Sequence, residues 1–147
     1  MENNGTEDIL KDSQFTDMDP KSPEFVEGIF NEMVETHNDL VELLKDLSDG
    51  KPDKFDLMKV RVIAPCYMLT SNVAVFMLKP ECVYFNHKFE EVKAIAWDLS
   101  QYSEDFEKGD RDPAKLAEII ARYREYINDM YAILTSEGWK VNALFAG

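Results

Sequence analysis

Five side chains in this sequence could hold a metal ion or move a proton: Glu32, Glu35, His37, His87 and Glu90. Carboxylates and imidazoles are common metal ligands, and both serve as general acids or bases. Glu32 and Glu35 stand three apart, as do His87 and Glu90. On a helix each pair would share a face. If the two faces met, they would suit a metal-dependent all-α hydrolase working through clustered carboxylates.

The pattern is incomplete. Ferritin-like di-metal bundles take a carboxylate from each of two helices and a Glu-x-x-His pair from each of two others. Here the order is reversed, histidine before glutamate, and it occurs once. All-α nucleotide pyrophosphohydrolases pair Glu-x-x-Glu with a second acidic pair on a following helix; here the second helix offers no acidic partner and the third no Glu-x-x-Asp. Glu35 falls among Asn31, Asn38 and Glu42, which reads as a solvated acidic face. His37 lies on an apolar stripe, where a hydrogen-bonded core histidine is the ordinary role. There is no glycine-rich phosphate loop and no nucleophile elbow. The sequence therefore calls for no cofactor and no catalytic set.

Trp97 has a different kind of chemistry to offer. At 100° per residue it lies about 200° around a helix from both Ile95 and Leu99, which belong to the apolar face. Its helical neighbours are Glu90, Lys93, Gln101 and Glu104. A tryptophan on a polar face is a candidate interface anchor, unless another segment of the chain covers it. Trp97, Glu90, Lys93, Gln101 and Glu104 make up the expected interface.

The elements that must position these residues are legible from periods and stops. Ser22-Pro23-Glu24 is a helix start, with a capping hydroxyl, a proline at the first helical position and an acid at the positive end of the dipole. Val26, Ile29, Phe30, Met33, His37, Leu40, Leu44 and Leu47 then form one stripe, stopped by Asp49-Gly50. A second helix is expected from about Pro52-Asp53 to just before Pro80. A third is expected to be capped by Asn86, with a stripe of Phe89, Val92, Ala96, Leu99, Ser103 and Phe106, and to stop at Lys108-Gly109. Asp112-Pro113 opens a fourth, whose stripe is Leu116, Ile119, Ile120, Tyr123, Ile127, Met130 and Leu134, stopped by Gly138. Trp139, Val141, Leu144 and Phe145 form an apolar tail expected to fold back over the bundle's end.

Val62 to Leu78 is the hardest stretch, being 17 consecutive residues without a charge. It is short for a membrane span and carries Thr70, Ser71 and Asn72 at its centre. A central bundle helix explains its length, at the expense of an interior Pro65. The alternative is an α+β fold with a small antiparallel hairpin over residues 57–86, in which Val73, Val75 and Met77 alternate and Val83 and Phe85 alternate back. The expected fold class is all-α, a four-helix up-down bundle over residues 22–147 preceded by a flexible acidic arm at 1–21.

The chain of 147 residues carries a formal net charge of -13. Pro23 to Gly50 hold eight acids and one base, and Glu81 to Asp110 hold eight acids and three bases. Such faces repel phosphate, so direct nucleic-acid binding and anionic membrane surfaces are disfavoured. The start, MENNGTEDILKD, lacks the cationic and apolar regions of a secretory signal, which points to the cytoplasm. Cys66 and Cys82 fit no metal or redox spacing. The expected function is that of a small acidic protein-binding module: an adaptor, assembly or accessory factor, or inhibitor, of the kind found in bacterial or phage systems. Its partner would be another protein with a basic surface. DNA mimicry, in which acidic faces occupy the nucleic-acid channel of an enzyme, is the related alternative.

Overall fold

A computed structural model describes residues 18–49, 55–79 and 81–145. Among these, five helical segments follow one another: α1 (Pro23–Ser48), α2 (Phe55–Leu78), α3 (Val83–Asn86), α4 (Phe89–Glu107) and α5 (Pro113–Ser136). The four long helices form a ring in chain order. α1 packs on α2, α2 on α4, α4 on α5, and α5 closes back on α1. This is the up-down bundle that short connections and matched helix lengths produce.

Local chemistry sets the helix ends. The Ser22 side chain accepts from the Phe25 N–H at 3.2 Å, and Asp112 accepts from Ala114 N–H at 2.9 Å. Each satisfies one of the orphan donors at a helix start. Met18 packs against the core, and Asp19 accepts from the Ser22 N–H at 3.0 Å to close the turn that leads into α1. Residues 1–17 of the expected arm, and the expected start of α2 at Pro52-Asp53, lie outside the described residues.

α4 begins later than Asn86. That residue instead ends the short helix α3, and Lys88 takes the cap position of α4 with no side-chain cap bond. Two acids in the first turn, Glu90 and Glu91, complement the helix dipole in place of a cap.

The hairpin alternative does not form, since Phe55–Leu78 is one helix with Pro65 inside it. A strand would put Val73, Val75 and Met77 on one face. Instead Val75 is 1% exposed and Met77 is 64% exposed. α2 turns Val62, Leu69, Val73 and Phe76 inward, and Ile63, Tyr67, Met77 and Leu78 outward. Among the described residues no helix is long and apolar enough to cross a membrane.

The core runs the length of the ring. At one end the Phe76 and Phe85 rings stack at 5.0 Å, and Phe25 meets Phe85 edge-on at 6.4 Å, so α1, α2 and α3 are tied by aromatics. Each such buried side chain contributes about 1.5–3 kcal/mol by leaving water. The polar side chains of Thr36, His37, Ser71 and Asn72 are buried within this largely apolar interior. Asn72 is buried on α2, and its amide finds no hydrogen-bond partner among the described residues.

Candidate functional site

α4 carries the candidate interface on the face turned away from the core. Val92, Ile95, Ala96, Leu99, Tyr102 and Phe106 bury the other side of the helix. That burial leaves Trp97 pointing outward, 70% exposed. One turn before it Lys93 pairs with Glu90 at 3.2 Å, and one turn after it Gln101 Nε2 donates to Glu104 at 3.3 Å. All five residues of the expected interface thus lie along one face of α4. They leave a wide, rigid indole framed by two polar pairs.

The seam between α4 and α5 beside this face is acidic. A cavity of about 390 Å³ is lined by Glu90, Glu91, Ala94, Ile95, Arg122 and Glu125. A second, of about 220 Å³, is lined by residues that include Asp98, Gln101, Asp105, Lys115 and Glu118. The bases along the seam are already engaged. Arg122 pairs with Asp98, Lys115 with Asp110 at 3.2 Å, and Lys88 with Asp129 at 2.5 Å. Glu91, Glu118 and Glu125 have no ion pair among the described residues, so the seam keeps a net negative field.

The apolar tail does not cover Trp97. Nor does it lie across the end of the bundle. It runs back along the groove between α1 and α5 as an extended strap. The Lys140 N–H donates to Glu27 Oε2 at 3.1 Å, and Asn38 Nδ2 donates to the Leu144 carbonyl at 2.9 Å. Val141 is buried, Trp139 meets Tyr84 edge-on at 6.0 Å, and the Phe145 ring lies 4.7 Å from the His37 ring. Leu144 points to solvent. The tail buries alternate residues because an extended chain turns successive side chains to opposite sides.

The five side chains of the metal reading are not brought together. Glu32, Glu35 and His37 are on α1, whereas His87 and Glu90 flank the start of α4, diagonally across the ring. His37 is fully buried, with both ring nitrogens hydrogen-bonded, to Asn38 and to Arg124. Glu35 faces solvent. His87 and Glu90 share an open cavity of about 720 Å³ with Phe76, Met77 and Phe89. Among the described residues no group of three or more His, Cys, Asp or Glu side chains is placed to hold a metal ion.

Both cysteines are free. Burial first, and Glu81 second, push the Cys82 thiol up to about 11. Cys66 lies 3.4 Å from the Ser100 hydroxyl across the α2–α4 contact. Neither thiol sits in the electropositive setting that makes a nucleophile.

Arg124 escaped the sequence reading, and Asn38 was assigned to the solvated face, although both complete the surroundings of His37. The signal was half present: a histidine on an apolar stripe needs polar partners, and Asn38 follows it directly. Arg124 lies 87 positions away, so only the closure of α5 on α1 reveals it.

No protein-family model, no curated protein and no solved structure matches the chain.

Proposed function

We propose that this protein acts in the cytoplasm as a binding module for another protein, through the outward face of α4. The observation that carries this reading is Trp97, 70% exposed on a rigid helix and ringed by charged and amide side chains. Burying an indole of that size is a large apolar gain, and tryptophan is among the residues most enriched where interfaces concentrate their energy. Glu90, Lys93, Gln101 and Glu104 would form the polar rim that excludes water. The acidic seam beside them would steer a partner with a basic surface, raising the encounter rate more than the final affinity. An adaptor, accessory or inhibitory role fits such a module. The uncompensated acids also favour a second reading, occupation of an enzyme's nucleic-acid channel.

Paired baits test both. Wild type and Trp97→Ala are used to capture partners from native lysate, with the thermal midpoint of each bait measured alongside. A stoichiometric partner lost with Trp97→Ala, at an unchanged midpoint, is the expected result. A large fall in the midpoint would place Trp97 in the fold instead. Release of the captured partner by duplex DNA would select the channel-blocking reading.

A further inference from the structure

His37 is buried on α1, and the bonds it makes fix its protonation. Arg124 Nε donates to its Nε2 at 3.2 Å. A guanidinium has donors and no acceptor, so Nε2 must be the bare nitrogen and the ring is neutral. Its one proton then sits on Nδ1, which donates to Asn38 Oδ1 at 3.0 Å. That bond turns the Asn38 Nδ2 toward the strap, where it donates to the Leu144 carbonyl at 2.9 Å. On the other side the Arg124 guanidinium lies 4.8 Å over the Phe145 ring, and the same ring is 4.7 Å from the imidazole. Every one of these ties to Leu144 and Phe145 passes through one neutral imidazole or through a residue bonded to it.

We propose that His37 is the bolt of a pH-sensitive strap: protonating Nε2 releases residues 139–145 from the α1–α5 groove while the four-helix bundle stays folded. A proton there sets N–H against N–H, and one cation against another where little water screens them. Arg124 must then leave Nε2, and its contact with Phe145 goes with it. The surroundings offer the new charge little relief. From α5, the ring faces Arg124 and the Tyr123 ring, whose hydroxyl burial keeps protonated. On α1 the residues one turn either side, Met33, Val34, Leu40 and Val41, are uncharged. Glu32 of α1 acts on the Tyr123 side. α2 presents its uncharged run, Val62 to Leu78. Lys140 of the strap stands at the far end, where Glu27 holds its backbone.

The direction of the switch follows from linkage. Burial holds the docked imidazole below its ordinary 6.5; the Asn38 bond opposes it, and the smaller effect of the Arg124 charge adds to it. A lowered base favours the docked state most above its ordinary value. As pH falls through 6.5 the open state takes up a proton that the docked state refuses. Docking weakens until the lowered value is reached. The docked-to-open ratio falls about tenfold for each unit of lowering.

The chain has two tryptophans, Trp97 on α4 and Trp139 on the strap. Trp97→Phe therefore leaves Trp139 as the sole reporter. Its emission and the helical circular dichroism are followed from about pH 7.5 to about pH 5, the range in which imidazole titrates. A reversible red shift at constant helicity is the expected result. Adding His37→Gln, which can donate and accept but not gain a charge, should flatten the profile. Adding Phe145→Ala removes the half-buried ring that holds the strap against His37 and Arg124, leaves the fully buried core side chains in place, and should give red-shifted emission at every pH. The proposal is overturned by flat emission in the Trp97→Phe parent. It is overturned equally by the parental pH step persisting in His37→Gln, or in Phe145→Ala should His37→Gln fail to fold.

Discussion

Tyr123 and Tyr126 sit side by side within one turn of α5, both out of water, and among the described residues only one hydroxyl is bonded. The Tyr126 hydroxyl donates to the Phe85 carbonyl at 3.3 Å, tying α5 to α3. The Tyr123 hydroxyl finds no partner among the described residues. A buried hydrogen bond contributes about 0.5–1.5 kcal/mol net, whereas a buried polar group without a partner carries its desolvation penalty for nothing. Tyr126→Phe should therefore lower the unfolding free energy in urea by roughly 1 kcal/mol. Tyr123→Phe, the same chemical change at nearly the same place, should leave it unchanged or raise it. Equal losses in the two variants would mean that Tyr123 also has a bonded hydroxyl. The sequence shows both tyrosines on α5 but cannot separate them, because the difference depends on a carbonyl 41 positions away. The same limit applied to Arg124 and His37. Trp97 was legible by contrast, because its exposure follows from the period of its own helix.

At the scale of elements, legibility tracked how much of the controlling chemistry is local. α1 and α5 announce themselves through Ser22-Pro23 and Asp112-Pro113, whose capping bonds reach only two or three residues. α2 is apolar on nearly every side, so no period separates a buried helix from buried strands. Only its packing on α1 and α4 decides. α3 was missed because four residues, Val83 to Asn86, are too few to show a period. That miss displaced the cap of α4. The helix stops were clear for a physical reason that can be tested. Gly138 has φ of +91°, and a Cβ there would meet no atom within 4 Å. Any penalty for a side chain is then backbone strain alone, of roughly 1 kcal/mol or more. Gly138→Ala should lower the urea midpoint accordingly. Because this turn delivers the strap into its groove, Trp139 emission should shift toward that of exposed indole as well. Loss of stability without a change at Trp139 would show that the strap finds its groove independently of the turn.

For the whole molecule, a formal net charge of -13 sets two effects of salt in opposition. Self-repulsion among the acids works against the compact state, and added salt relieves it. The ion pairs lose strength in the same salt, but Lys93–Glu90 and Lys115–Asp110 are both exposed, and such pairs contribute only about 0–1 kcal/mol each. Repulsion should dominate, so the thermal midpoint should rise between about 20 mM and 500 mM sodium chloride, where the screening length falls from tens of ångströms to a few. Capture of a basic partner by the α4 face should move the other way, since the same salt screens the field that steers it. The opposite signs make the pair of measurements decisive. Partner lost at high salt from a bundle that has become more stable cannot be explained by unfolding, and must come from the interface. A midpoint that falls with salt would instead mean that ion pairs such as Arg122–Asp98 and Lys88–Asp129 hold the α4–α5 seam closed, and that the acidic seam is part of the scaffold and not a surface offered to a partner.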